Sequence, residues 1–331
     1  MSNPSATWLV TGGAGYIGAH VVRAFSKAGI EVVVLDDLST GFRQRIPEGL
    51  PFIQGDASNA DLVHDAILTH SVVGVVHLAA YKHARESVRD PVLYWGNNMR
   101  AMLGVIEALD ATSVRHFVLS SSCSIYGASG PVDSLTPANP LSPYARTKQL
   151  CEQILDDCGG TLGLSWLALR YFNVIGNDRF PWAHDTSAEC LVPATVARVL
   201  RGEPATVYGT DFSTPDGTAL RDYVDVRDLA SAHLAAARYL MAGESVGMAL
   251  DIGTGAPLSV LEVVQAIYDE LGQTLCVCDA GRASADPSAV WSNASTIRSL
   301  LGWTPTHDLH SSIREHVRSL CGTPQAKRQR V

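Results

Sequence analysis

The stretch Trp8-Leu-Val-Thr-Gly-Gly-Ala-Gly-Tyr-Ile-Gly18 decides the fold. A short apolar, β-branched run stops abruptly in glycines, and an amphipathic pattern follows over 16–28. That order predicts strand, tight turn, helix. Gly12, Gly15 and Gly18 are spaced G-x-x-G-x-x-G. Gly12 suits a turn that tolerates no Cβ. Gly15 lets the backbone approach a ligand, and Gly18 lets the helix pack closely on the strand. The helix N-terminus then offers unpaired N–H groups to an anion such as a pyrophosphate. A glycine trio alone is a weak signal, because turns use glycine anyway. Here a strand precedes it, a helix follows, and a second strand over 32–35 runs into an acid, Asp36. That context predicts a dinucleotide site. A carboxylate at Asp36 can accept both hydroxyls of an adenine ribose and repels a 2′-phosphate, which favours NAD over NADP. The bland alternative is an ordinary solvated loop acid.

Outward from this motif, strand and helix patterns alternate. Gly29 is a natural end for the first helix. A third strand is expected over 52–54, followed by Asp56, with Ser58 placed to cap a helix over 61–70. The run 72–78 is continuously apolar, as in a strand buried on both faces. It ends at Ala79-Ala80, whose small side chains leave space. A helix over 91–111 starts at a proline, and a fifth strand covers 117–120. Ser142 and Pro143 read as N-cap and first residue of a helix that Gly159-Gly160 should end. A sixth strand covers 165–172, helices are expected near 188–201 and over 232–241, and a last buried strand over 248–252.

The fold class is therefore α/β, a Rossmann-type doubly wound parallel sheet with a smaller C-terminal α/β substrate domain. Right-handed crossovers bring Asp36, Asp56, Ala79-Ala80 and Ser120–Ser122 to one sheet edge. The first domain is expected over 1–174 plus about 224–256, the second over about 175–223 plus 257–322, and a basic tail over 323–331.

The 331 residues are 46% hydrophobic and 18% charged, enough apolar material for a large core. The net charge of −8 argues against a nucleic-acid partner, which would require a basic face. An anionic substrate would be met by a few placed arginines. The seven cysteines have no paired C-x-x-C spacing and read as reduced thiols with no metal site. The start lacks a basic n-region, and no apolar run approaches the ~20 residues of a membrane span. A cytoplasmic protein with no membrane partner is expected.

The second chemical signal is Tyr144-x-x-x-Lys148, four apart and so on one helix face. By itself the spacing could be an exposed helix pair. Its position is informative, because it opens the helix after the strand that ends in Ser120–Ser122. A free tyrosine phenol, with a pKa of about 10, is a poor base at neutral pH. A lysine ammonium and the positive nicotinamide of NAD+ both favour the phenolate. Tyr144 then becomes a candidate general base for a substrate hydroxyl, with Ser122 hydrogen-bonded to the same oxygen.

With these residues in place, the chain resembles the extended short-chain dehydrogenase/reductase family, and within it the nucleotide-sugar epimerases. The resemblance rests on Thr11–Gly18, Leu35–Gly41, His77–Lys82, Glu86-Ser87, Asn97-Asn98, Ser120–Gly127, Ser142–Lys148, Leu169–Asn173, Tyr208–Asp211, Thr214–Gly217 and Arg221–Tyr223, and it spans residues 7 to about 310. It implies a tightly held NAD and a UDP-hexose substrate, glucose or galactose and also the N-acetylated pair. It implies epimerisation at C4 through a transient 4-keto sugar, and a homodimer. Residue by residue, it implies Tyr144, Lys148 and Ser122 at the reacting carbon. Around NAD it implies Gly12, Gly15, Tyr16, Ile17, Asp36, Asp37, Asp56, Ala57, Leu78, Ala79, Ala80, Lys82, Asn97, Ser120 and Tyr171. Around the nucleotide sugar it implies Lys82, Asn173, Cys190, Leu191, Tyr208, Arg221, Arg282, Asp286 and Val290.

Two positions depart from the pattern. The family usually has Asn or His where this chain has Cys190, and a thiol is a weak hydrogen-bond donor. The family's phosphate-binding arginine falls at Ala283 here, with Arg282 one residue earlier. Val290 stands where a large aromatic would block an N-acetyl group. A nucleotide-sugar 4,6-dehydratase shares the Tyr/Lys pair but usually carries Asp-Glu where this chain has Cys123-Ser124. A uronate epimerase shares the motifs. An NAD-sensing binding protein has no need of Ser122, Tyr144 and Lys148 together.

Overall fold

The structure, a computed structural model, describes residues 6–127, 130–180, 182–282 and 287–321. Seven parallel strands form its central sheet. The order across the sheet is Gly247–Ile252, Ser165–Tyr171, His116–Ser122, Val72–His77, Thr7–Thr11, Glu31–Asp36 and Phe52–Gln54. The chain direction across the sheet reverses between Thr7–Thr11 and Val72–His77. A ligand crevice is expected outside the carboxyl ends at that point.

Side-chain alternation explains why the middles of the strands are apolar on both faces. Trp8 and Val10 face one core, together with Val32, Val34, Val118 and Leu167. Leu9, Val33, Leu35, Phe117 and Leu119 face the other. Helices Tyr16–Lys27 and Val226–Met241 cover the first face. Helices Ala60–Thr69, Pro91–Asp110 and Pro143–Leu162 cover the second. A third apolar cluster, around Val192, Val263, Ile267 and Ile313, belongs to helices Leu191–Leu200, Val260–Leu271 and Leu309–Cys321. The expected α/β plan holds.

Local details differ from the sequence reading. The helix over 60–69 is capped by Asn59, whose side chain accepts the Leu62 N–H at 3.1 Å, and not by Ser58. The helix from Pro143 runs through Gly159-Gly160 to Leu162 and stops at Gly163, which has a φ of 64°. Gly159 serves packing instead: a Cβ there would lie 2.9 Å from the Trp166 indole nitrogen. Helix 191–200 is shorter at both ends than expected. Ile297 and Trp303 pack into the first core, where helix Ser295–Leu301 meets helix Val226–Met241 and strand Gly247–Ile252. Among the described residues no helix is long and apolar enough to cross a membrane, and no cluster of His, Cys, Asp and Glu could hold a metal. All seven cysteines are free thiols.

Candidate active site

The turn after the first strand is built around Gly12, which has a φ of +71°. A Cβ at Gly12 would lie 2.7 Å from the Ala79 amide nitrogen, so the two strand ends approach as closely as glycine permits. A Cβ at Gly18 would lie 2.2 Å from the Gly12 carbonyl, which explains the third glycine. Gly15 caps helix Tyr16–Lys27 with no side-chain bond, and no acidic residue occupies the first turn. The helix therefore presents free N–H groups and its positive dipole end to whatever lies above it.

A cleft of about 370 Å³ opens at this edge. Gly12, Gly15, Tyr16 and Ile17 form its floor. Asp36, Asp37, Asp56 and Ala57 close one end, and Leu78, Ala79, Ala80, Lys82 and Asn97 form its wall. Tyr144, Lys148 and Tyr171 stand at the other end. Ser120 lies behind them, its hydroxyl 2.7 Å from the Tyr171 hydroxyl. Asp36 is buried, and it accepts the Ala14 and Leu38 N–H groups at 2.9 Å each. Burial pushes its carboxyl up, against those two bonds. The donor set suits a dinucleotide: a side-chain-free cradle, open helix N–H groups, a buried acid at the second strand's tip and a lysine.

Helix Pro143–Leu162 is fixed at its start by Ser142, whose hydroxyl accepts the Ala145 N–H. Ser87 accepts the Tyr144 N–H at 3.1 Å. The Tyr144 phenol is buried, with the Ser122 side chain close enough to act on it. Burial pushes it far above the ordinary phenol value, and Ser122 acts the other way. Lys148 points at the end of the strand before it. Its Nζ donates to the Ser120 carbonyl at 2.7 Å, and burial lowers its ammonium. A phenolate at Tyr144 therefore needs an added positive charge in the cleft.

Lys82, read as facing both ligands, lines the cleft, and the other residues read as nucleotide-sugar ligands lie outside its lining. Asn173 is exposed at the start of strand Asn173–Ile175. Cys190 precedes helix Leu191–Leu200, and burial and the charge of Asp185 push its thiol up. Arg221 pairs in register with Val290, which is buried among Ile125, Tyr126, Val132 and Phe172. The Arg85 guanidinium stacks 3.6 Å over the Tyr208 ring. Arg282 approaches the Phe212 ring and Asp211. Asp286 lies outside the described residues.

Among the lining residues that were not anticipated are an arginine and an aspartate. Arg45 is fully buried and donates to the carbonyls of Trp182 and His184 at 2.7 and 2.9 Å. Asp185 pairs with Lys82 at 3.3 Å. Neither belongs to a local motif, so only the fold reveals them.

Residues 8–253 match the model of the NAD dependent epimerase/dehydratase family, and the chain belongs to that family. It is an NAD-using enzyme. Its similarity is to one activity in particular. It is 38% identical over 328 residues to the UDP-glucose 4-epimerase of Azospirillum brasilense, covering 98% of this chain and 93% of that one. The UDP-glucose 4-epimerase of Brucella ovis, solved with NAD, superposes with a TM-score of 0.90 at 32% identity, covering 96% and 98% of the two chains. The UDP-Glc/GlcNAc 4-epimerase of Campylobacter jejuni superposes with a TM-score of 0.83 at 32% identity, covering 96% and 100%.

Proposed function

We propose that this chain epimerises UDP-hexoses at C4 through a transient 4-keto sugar. The observation that carries the reading is the convergence of Ser122, Tyr144 and Lys148 at the end of a dinucleotide cleft. When bound, NAD supplies a hydride acceptor at C4 and then returns the hydride. The chain's own residues manage the proton and the geometry. Tyr144 takes the proton from the 4-hydroxyl and later gives it back, and Ser122 orients that oxygen. Lys148 holds a positive charge beside the cofactor ribose. The positive charge of NAD+ offsets the burial that otherwise keeps Tyr144 protonated. Asp36 and Asp37 take the adenine ribose, Asp56 and Ala57 lie toward the adenine, and Lys82 meets the diphosphate. Asn173, Cys190, Leu191, Tyr208, Arg221 and Arg282, with Asp286, hold the UDP part.

The reading includes a homodimer. Val92 and Leu103 on one helix and Leu150 on its packed neighbour are 79%, 52% and 37% exposed. A second copy of this chain would cover that apolar face.

The substrate range includes the N-acetylated pair. Val290 is small where an aromatic would fill the space beside the sugar C2 substituent, and a gap of one or two methylenes is worth roughly 1–3 kcal/mol of discrimination. Purified protein is expected to interconvert UDP-glucose with UDP-galactose, and UDP-GlcNAc with UDP-GalNAc, in NMR assays with no NAD added. Val290→Tyr should cut the N-acetyl reaction and spare UDP-galactose. Equal loss on both pairs would place the gate elsewhere, and no turnover of any UDP-sugar would favour an NAD-sensing binding protein.

A further inference from the structure

Asp185 sits in the cofactor cleft as a buried acid on a segment from the other side of the site. Its Oδ2 lies 3.3 Å from Lys82 Nζ, and its Oδ1 accepts the Ser187 N–H at 3.0 Å. Burial would raise this carboxyl, but Lys82 and the Ser187 N–H, with the Cys190 side chain acting the same way, outweigh it and hold it below the usual carboxylate range. Its side chain is 6% exposed, whereas Lys82 is 42% exposed and faces the open cleft. The segment carrying Asp185 is fastened across the cleft by the two Arg45 bonds to Trp182 and His184. The Ser187 hydroxyl lies 3.3 Å from the His83 ring, which extends the same fastening.

The placement has a consequence for a dianion. Lys82 is the cleft cation best placed for a diphosphate, yet its charge is already balanced by a fixed internal carboxylate. A diphosphate drawn to Lys82 must share the cation with Asp185, and two like charges at that range repel in a poorly solvated site. We propose that Asp185 is an affinity-setting residue, an internal counter-anion that competes with the cofactor diphosphate for Lys82 and weakens dinucleotide binding. The inference rests on the reading of Lys82 as the diphosphate partner.

The test is titration calorimetry on stripped full-length protein with NAD, NADH and ADP-ribose. Asp185→Asn keeps the shape and removes the charge. It is expected to tighten all three ligands by about tenfold or more and equally, since all share the diphosphate. The gain should vanish when Lys82→Met is added. Lys82→Met alone should weaken all three. If Lys82→Met weakens binding but Asp185→Asn leaves it unchanged, the inference is overturned while the role of Lys82 stands. If Lys82→Met has no effect, both fall. If Asp185→Asn weakens NAD relative to NADH, the carboxylate acts on the nicotinamide charge and the inference is likewise overturned. Circular dichroism of each variant checks that the fold is retained.

Discussion

Tyr144→Phe is expected to lower kcat for UDP-galactose by at least about 10²-fold, within the 10²–10⁴-fold range that a positioned acid–base group supplies. The ring is retained, so its edge-to-face packing on Tyr94, with centroids 6.4 Å apart, survives. The phenol oxygen is lost, and with it the group beside Ser122 that is proposed to carry the substrate proton. The dinucleotide cradle is untouched, so co-purifying NAD should remain. KM should change far less than kcat, because the oxygen acts in the transition state more than in binding. Steady-state kinetics together with the absorbance of released dinucleotide check both halves. Near-wild-type turnover would remove Tyr144 from the chemistry.

Glu152→Ala is expected to destabilise the fold by about 3–5 kcal/mol, the range for breaking a buried ion pair from one side. Glu152 lies eight residues beyond Tyr144 on the same helix and is buried. It accepts Arg170 Nε at 3.0 and 3.2 Å and bonds the Ser121 hydroxyl. Arg170 continues to the Tyr126 hydroxyl at 2.9 Å, and Tyr126 to Asp251 at 2.6 Å. This chain of bonds ties the helix of Tyr144 to the strand of Ser122 and to the last strand of the sheet. Without Glu152 the Arg170 guanidinium is left in the interior beside Asp251, whose carboxyl burial pushes up to about 7. Glu152→Gln, which keeps part of the hydrogen bonding, should lose less. Urea unfolding followed by circular dichroism measures both, and a loss under about 1 kcal/mol for the alanine variant would contradict the assignment.

Much of the fold was legible because its determinants are local. Strands buried on both faces are apolar along most of their length, so 72–76 and 32–35 stand out without any partner. The glycine cradle and the Tyr144/Lys148 pair are likewise short motifs. Glycine was the ambiguous letter. Gly159 looked like a helix end, but it is there because Trp166 packs against it, a contact across the fold that no neighbouring residue announces. Ile297 and Trp303 return to the first core for the same kind of reason. The site showed the same division. Asp36 declares itself at a strand tip, whereas Arg45 and Asp185 meet the cleft from loops whose sequence reads as ordinary charged surface. Spacing puts Tyr144 and Lys148 on one face without saying where the ammonium points, and only the fold shows that it donates to the Ser120 carbonyl.

The central claim is that the carbon-bound hydrogen at C4 leaves and returns within one active site. UDP-galactose deuterated at C4, incubated in ordinary water with the purified protein and no added NAD, tests it most directly by NMR of the product. The account predicts UDP-glucose with the deuterium fully retained at C4. Loss of the label to solvent, or a keto sugar released into solution, would contradict it.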